Sequence, residues 1–112
     1  MPAPTPAPIG EFEFLVLLAT LHLGDGAYPI PIRALIEERT GRAVARGALY
    51  TALDRLEVKG CLRSRPEPGG EERGGRPRRC FALTPGGIKA VRATHASFTR
   101  LSAGLEAVLE RP

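Results

Sequence analysis

With 112 residues, 43% of them apolar and 25% charged, the chain has the length of one small domain and the composition of an ordinary globular protein. Its +4 net charge is unevenly spread: residues 1–41 carry two basic against five acidic side chains, residues 42–92 twelve against five, and residues 93–112 two against two. All the basic excess lies in the middle segment, which favours a polyanionic partner, nucleic acid first, contacted by one region.

Several classes are excluded. No run approaches the roughly eighteen apolar residues of a membrane helix, and the start has no basic flank leading into an apolar stretch, so neither a membrane partner nor secretion is expected. Two cysteines, Cys61 and Cys80, are too few for a disulfide framework and lack a His or further Cys at zinc-ligand spacing. We therefore expect a cytoplasmic protein with no metal and no cofactor. No Ser/His/Asp, Cys/His or paired-carboxylate arrangement is present, so no catalytic residue is assigned and no enzyme is expected.

Residues 1–9 alternate proline with small residues and predict a disordered Pro/Ala-rich leader. Residues 11–23 (EFEFLVLLATLHL) are apolar on nearly every side, with Glu11 and Glu13 suited to a helix start and Gly24-Asp25-Gly26 to its end. Such a helix must be buried all round, which in a domain this small calls for a second subunit. His22 has no ligand partner at useful spacing and reads as structural. Residues 29–40 form a second helix with Pro31 in its first turn and Gly41 just past its end, and Val44 fits a brief strand before the third helix.

Residues 46–60 (RGALYTALDRLEVKG) form a third helix. Leu49, Leu53 and Leu56 share one helical face, while Arg46, Gly47, Tyr50 and Thr51 occupy the other side near its start. Residues 61–65 alternate and residues 79–83 end in apolar residues, two short strands around a Gly/Pro-rich tip at residues 66–77, and Arg63, Arg65, Arg73, Arg76, Arg78 and Arg79 line this hairpin. A buried stripe, a polar leading end and a basic hairpin suggest a recognition helix with its wing. Cys61 and Cys80, at equivalent ends of the two strands, are read as small buried residues, with a redox pair as the alternative.

Thr84 as N-cap and Pro85 at the first helical position open a last helix expected to run to Glu110, roughly 40 Å long at about 1.5 Å per residue. Ile88, Val91, His95, Phe98, Ser102, Leu105 and Leu109 recur at steps of three and four, with Leu101 and Val108 widening the stripe. That length and spacing predict a dimer helix. The expected fold is mainly α with a small β-hairpin: a winged helix-turn-helix at residues 10–83 and a long C-terminal dimerisation helix at residues 84–112.

The order of elements, the run LY-x-x-L-x-R-L-E-x-K-G from Leu49 to Gly60, the GGRPRR...FALTPGG junction and the EFEFLVLLATL opening resemble the PadR-like winged-helix transcriptional regulators. The resemblance covers the chain from Gly10 to about Val108 and is to the short form with one C-terminal helix. It implies a homodimeric repressor that binds a pseudo-palindromic operator in double-stranded DNA, paired through first and terminal helices, and in many members released by a small aromatic or lipophilic effector. Ala45 stands where the family often has a capping Ser, Cys80 where it often has Tyr, and the tryptophans that stack planar drugs in one branch have no counterpart in a chain without Trp.

Arg42, Arg46, Gly47, Tyr50 and Thr51 are the residues expected at the DNA groove and its phosphates, with Arg63, Arg65, Arg76, Arg78 and Arg79 on the wing. Tyr50 has an alternative as a core ring with a satisfied hydroxyl. The expected dimer interface comprises Phe12, Leu15, Ile88, Val91, His95, Phe98, Leu101, Leu105 and Leu109. Phe12, Phe14, His95 and Phe98 admit two readings, an effector pocket or plain core. A rival function is a protein-contact adaptor whose hairpin arginines meet an acidic protein.

Overall fold

The computed structural model describes residues 8–68 and 78–111. Helix α1 (Glu11–Leu23) leads through a tight turn at Gly24–Gly26 into α2 (Pro29–Thr40) and α3 (Arg46–Val58); strands β1 (Leu62–Glu67) and β2 (Arg78–Leu83) follow, then α4 (Pro85–Ser102) and a single turn, α5 (Glu106–Leu109). Most of the leader, residues 1–7, and the tip with Arg73 and Arg76 lie outside the described residues.

α1 is the hub. Phe14, Val16, Leu17 and Ala19 enter one buried cluster with Ile32 and Ile36 of α2, Leu49, Leu53 and Leu56 of α3, Phe81 of β2 and Val91 of α4. The expected all-round burial is incomplete within the chain: Phe12, Leu15 and Leu18 are half-buried, and Leu21 and His22 are exposed.

A buried acid ties α1 to α3. Glu13 Oε1 accepts from the Gly10 N–H at 2.8 Å, the reciprocal half of a capping box, and from Lys59 Nζ at 2.7 Å. Burial pushes the Glu13 carboxyl upward, but the Gly10 N–H and the Lys59 and Arg55 cations outweigh it and hold the group below 4.5. A carboxylate depressed in the folded state stabilises above its unfolded pKa, and that contribution disappears as pH falls through the folded value. Glu13→Gln should therefore lower the melting temperature at pH 7 and shrink the further loss on acidification below about pH 4.5. Melting curves at both pH values check this; equal acid sensitivity in the variant would refute it.

Helix ends are set locally. Gly60, at φ 77, closes α3 with its own N–H on the Glu57 carbonyl at 3.0 Å and the Cys61 N–H on Leu56 at 2.8 Å, a Schellman arrangement. Thr84 caps α4 as expected, its Oγ1 accepting from the Gly87 N–H at 3.0 Å. Ala45 offers α3 no side-chain cap.

Three local expectations are corrected, and the alternative of a cysteine pair is set aside. Val44 forms no strand: its N–H donates to Glu37 Oε2 at 2.9 Å and its carbonyl accepts from Arg33 Nε at 2.7 Å, so α2 side chains satisfy the backbone that a ladder would have taken. The strands run further than expected, with Pro66 opposite Arg79 and Glu67 opposite Arg78; a two-stranded ribbon has open edges that tolerate proline. This register places Cys80 opposite Arg65 and leaves Cys61 before β1, so the two thiols do not pair. The single helix expected over residues 84–110 is broken by Gly104, whose φ of 92 turns the chain before α5.

Candidate nucleic-acid interface

α3 buries Leu49, Ala52, Leu53 and Leu56 and turns the opposite face outward. On that face Arg46, Gly47, Tyr50 and Thr51 are all exposed, in the first turn and a half. The Arg46 guanidinium lies over the Tyr50 ring, 5.6 Å from its centroid. Tyr50 is 38% exposed, so its core alternative is not adopted. A Cβ on Gly47 would meet nothing within 4 Å, which leaves this part of the helix open to close approach. Arg42 sits beside α1 rather than on this face, paired with Glu11.

The hairpin separates its arginines. Antiparallel pairing puts Leu62, Ser64 and Pro66 on one face with Leu83, Phe81 and Arg79, and Arg63, Arg65 and Glu67 on the other with Ala82, Cys80 and Arg78. Arg79 is drawn against α3, hydrogen-bonded to Glu57 and to Ser64 Oγ (2.6 Å), with Asp54 at 3.8 Å. Arg78 lies on the Tyr28 ring at 3.5 Å, and its Nε is 4.0 Å from Glu67, too far for a hydrogen bond. Glu67 also accepts from Tyr28 Oη at 2.6 Å and from Arg65 Nη2 at 3.0 Å. The Tyr28 hydrogen bond, with Arg65 next, holds the Glu67 carboxyl below its ordinary range, and the same bond raises the Tyr28 phenol.

Arg63 is exposed, while Arg65, Arg78 and Arg79 are engaged with carboxylates of the chain itself. A groove of ≈ 290 Å³ lies between the start of α2, Tyr50 and the start of β2 at Arg78 and Arg79. Ile30, 81% exposed, stands on its rim between Pro29 and Pro31.

Residues 17–93 match the model of the transcriptional regulator PadR-like family. The chain belongs to this family. A curated relative from Streptomyces fradiae, an uncharacterized 37.1 kDa protein in transposon TN4556, is 37% identical over 93 residues, 82% of this chain. The chain spans only 24% of the length of that relative. Among solved structures, a PadR family transcriptional regulator from Eggerthella lenta DSM 2243 is 27% identical with a TM-score of 0.68, over 91% of this chain and 88% of that one. A PadR-like transcription factor from Bacteroides fragilis is 25% identical with a TM-score of 0.70, over 87% and 88%. The winged-helix fold and the family expected from the motifs are those found.

In this PadR-like chain the residues expected at a dimer seam divide in two. Val91 is buried in the chain's own core and Ile88 is half-buried, whereas Phe98, Leu101, Leu105 and Leu109 are exposed, at 54%, 84%, 51% and 60%. His95 is exposed beside them. Of the four residues with two readings, Phe14 is core and meets Phe98 edge to face at 5.8 Å, and Phe12 is half-buried.

Tyr28, Ile30, Glu57 and Glu67 were not legible as site residues. Tyr28 lies before α2 and reads as a linker, and Glu67 reads as part of the turn until the register carries β1 past Pro66.

Proposed function

We propose that the chain is a homodimeric, sequence-specific DNA-binding repressor, with α3 in the major groove and the wing along the adjacent backbone. The observation that carries this is the outward face of α3: Arg46, Gly47, Tyr50 and Thr51 lie together, exposed, in the segment that holds the chain's whole basic excess. Arg63 supplies an exposed cation on the wing, and Arg76 and Arg42 are assigned flanking phosphates.

Pairing falls to the exposed Phe98, Leu101, Leu105 and Leu109, with the half-buried Phe12 and Leu15 of α1 assigned to the same interface. Two copies would set half-sites roughly 34 to 36 Å apart, one turn of duplex. An aromatic or lipophilic effector belongs to this reading at the same seam, with Phe12, Phe14, His95 and Phe98 assigned to it.

Selection of bound duplexes from a random pool, followed by titration against salt, is the test. The pool should yield a pseudo-palindrome, a reporter carrying it should be repressed, and adding small aromatic compounds to the titration reads out release. Arg46→Ala should flatten the slope of log K against log salt by about 0.9, one phosphate contact. Unselective binding, together with an unchanged slope in this variant, would sink the reading in favour of an adaptor that uses the same arginines on an acidic protein.

A further inference from the structure

The arginine that closes the wing onto α3 has an environment unsuited to a phosphate contact. Arg79 is held by Glu57, by Ser64 Oγ at 2.6 Å and, more loosely, by Asp54 at 3.8 Å. Ser64 Oγ also donates to the Glu57 carboxylate, 3.2 Å from each oxygen. Asp54 and Glu57 are three residues apart on α3 and share a side of the helix. One guanidinium therefore faces two carboxylates, and a phosphate brought to Arg79 would meet net negative charge. The guanidinium also covers Phe81, whose ring centroid is 5.2 Å away and whose side chain is fully buried. β2 is thus fixed to the recognition helix at the position where the hairpin leaves the core.

We propose that Glu57 and Arg79 are positioning residues that lock the angle between the wing and α3, so that Arg79 acts on DNA affinity through the placement of the wing rather than by binding phosphate. The proposal deepens the DNA-binding reading and rests on it for its affinity arm. Its physical basis is preorganisation: a wing held in register with the helix loses less freedom when both meet one duplex. Two signatures separate this role from a phosphate contact. Losing a phosphate contact flattens the salt slope, whereas losing a positioning residue lowers affinity at unchanged slope. Removing a carboxylate from a DNA-binding surface ordinarily tightens binding by reducing repulsion, whereas removing a positioning carboxylate weakens it.

The experiment compares wild type, Glu57→Gln, Arg79→Ala, Arg79→Glu and the charge-swapped Glu57→Arg/Arg79→Glu double variant. DNA binding is titrated against salt, and amide hydrogen exchange is followed in β1 and β2. Glu57→Gln and Arg79→Ala should each weaken binding about fivefold, the scale of a partly exposed ion-pair network, at unchanged salt slope. Exchange should quicken in both strands but not in α1, and the double variant should bind more tightly than Arg79→Glu alone. Tighter binding by Glu57→Gln, a slope flattened by about 0.9 in Arg79→Ala, or unchanged strand exchange would each overturn the proposal. A wild-type protein that binds no duplex would sink the functional reading instead, and strand exchange in Glu57→Gln would still decide whether the wing is locked.

Discussion

Replacing Gly87 by alanine is expected to cost about 3 kcal/mol or more, the upper range for overpacking a buried site, and to lower the melting temperature by roughly 10 °C or more. A Cβ there would lie 2.1 Å from the Cys61 carbonyl oxygen and 3.0 Å from its carbon. Both atoms are backbone, so no rotamer change relieves the clash. The first turn of α4 would have to move off the start of the hairpin, straining the Thr84 N–H bond to that same carbonyl, now 3.1 Å. Against the roughly 5 to 15 kcal/mol that stabilises a small domain, this is a large share. Gly47→Ala is the control. Its Cβ meets nothing within 4 Å, and alanine in a helix is favoured over glycine by roughly 0.5 to 1 kcal/mol, so this variant should melt slightly higher. Thermal unfolding of both followed by circular dichroism reads the contrast; a Gly87→Ala protein melting within 3 °C or so of wild type would mean that α4 slides without penalty.

Leu101→Asp should give a folded monomer whose operator affinity is lower by about a hundredfold or more, because each half-site must then be bound without the effective concentration that linkage provides. Leu101 is 84% exposed in the subunit, so the carboxylate disturbs no intramolecular packing, yet it would be stranded in an apolar seam once two copies met. Sedimentation should show the monomer mass, and the melting temperature, which rises with concentration in a dimer, should lose that dependence. A variant that still sediments as a dimer would move the interface away from the terminal helices.

Wherever a backbone signal coincided with a side-chain pattern, the residue string was enough. The three-and-four spacing of Leu49, Leu53 and Leu56 marked the buried face of α3, Gly60 marked its end, and Thr84-Pro85 marked the start of α4. These depend on local geometry and on apolar period, which neighbours in sequence specify. The terminal helix shows the limit of the same logic. The three-and-four spacing continues through Leu105 and Leu109, but Gly104 adopts a left-handed φ and interrupts the helix carrying it, since periodicity records which side is apolar and not whether the backbone is continuous.

By itself, the amino-acid sequence determined the order of elements, the family, the helix that presents Arg46, Tyr50 and Thr51, and the segment that carries the basic charge. Only the tertiary structure decided which arginines of that segment are committed to the chain's own carboxylates. Arg78 and Arg79 are adjacent and chemically identical, yet strand pleating sends one onto Tyr28 and the other onto Glu57, contacts that span 50 and 22 residues. Charge can be counted along a chain, but its neutralisation depends on which distant carboxylates the fold brings within reach.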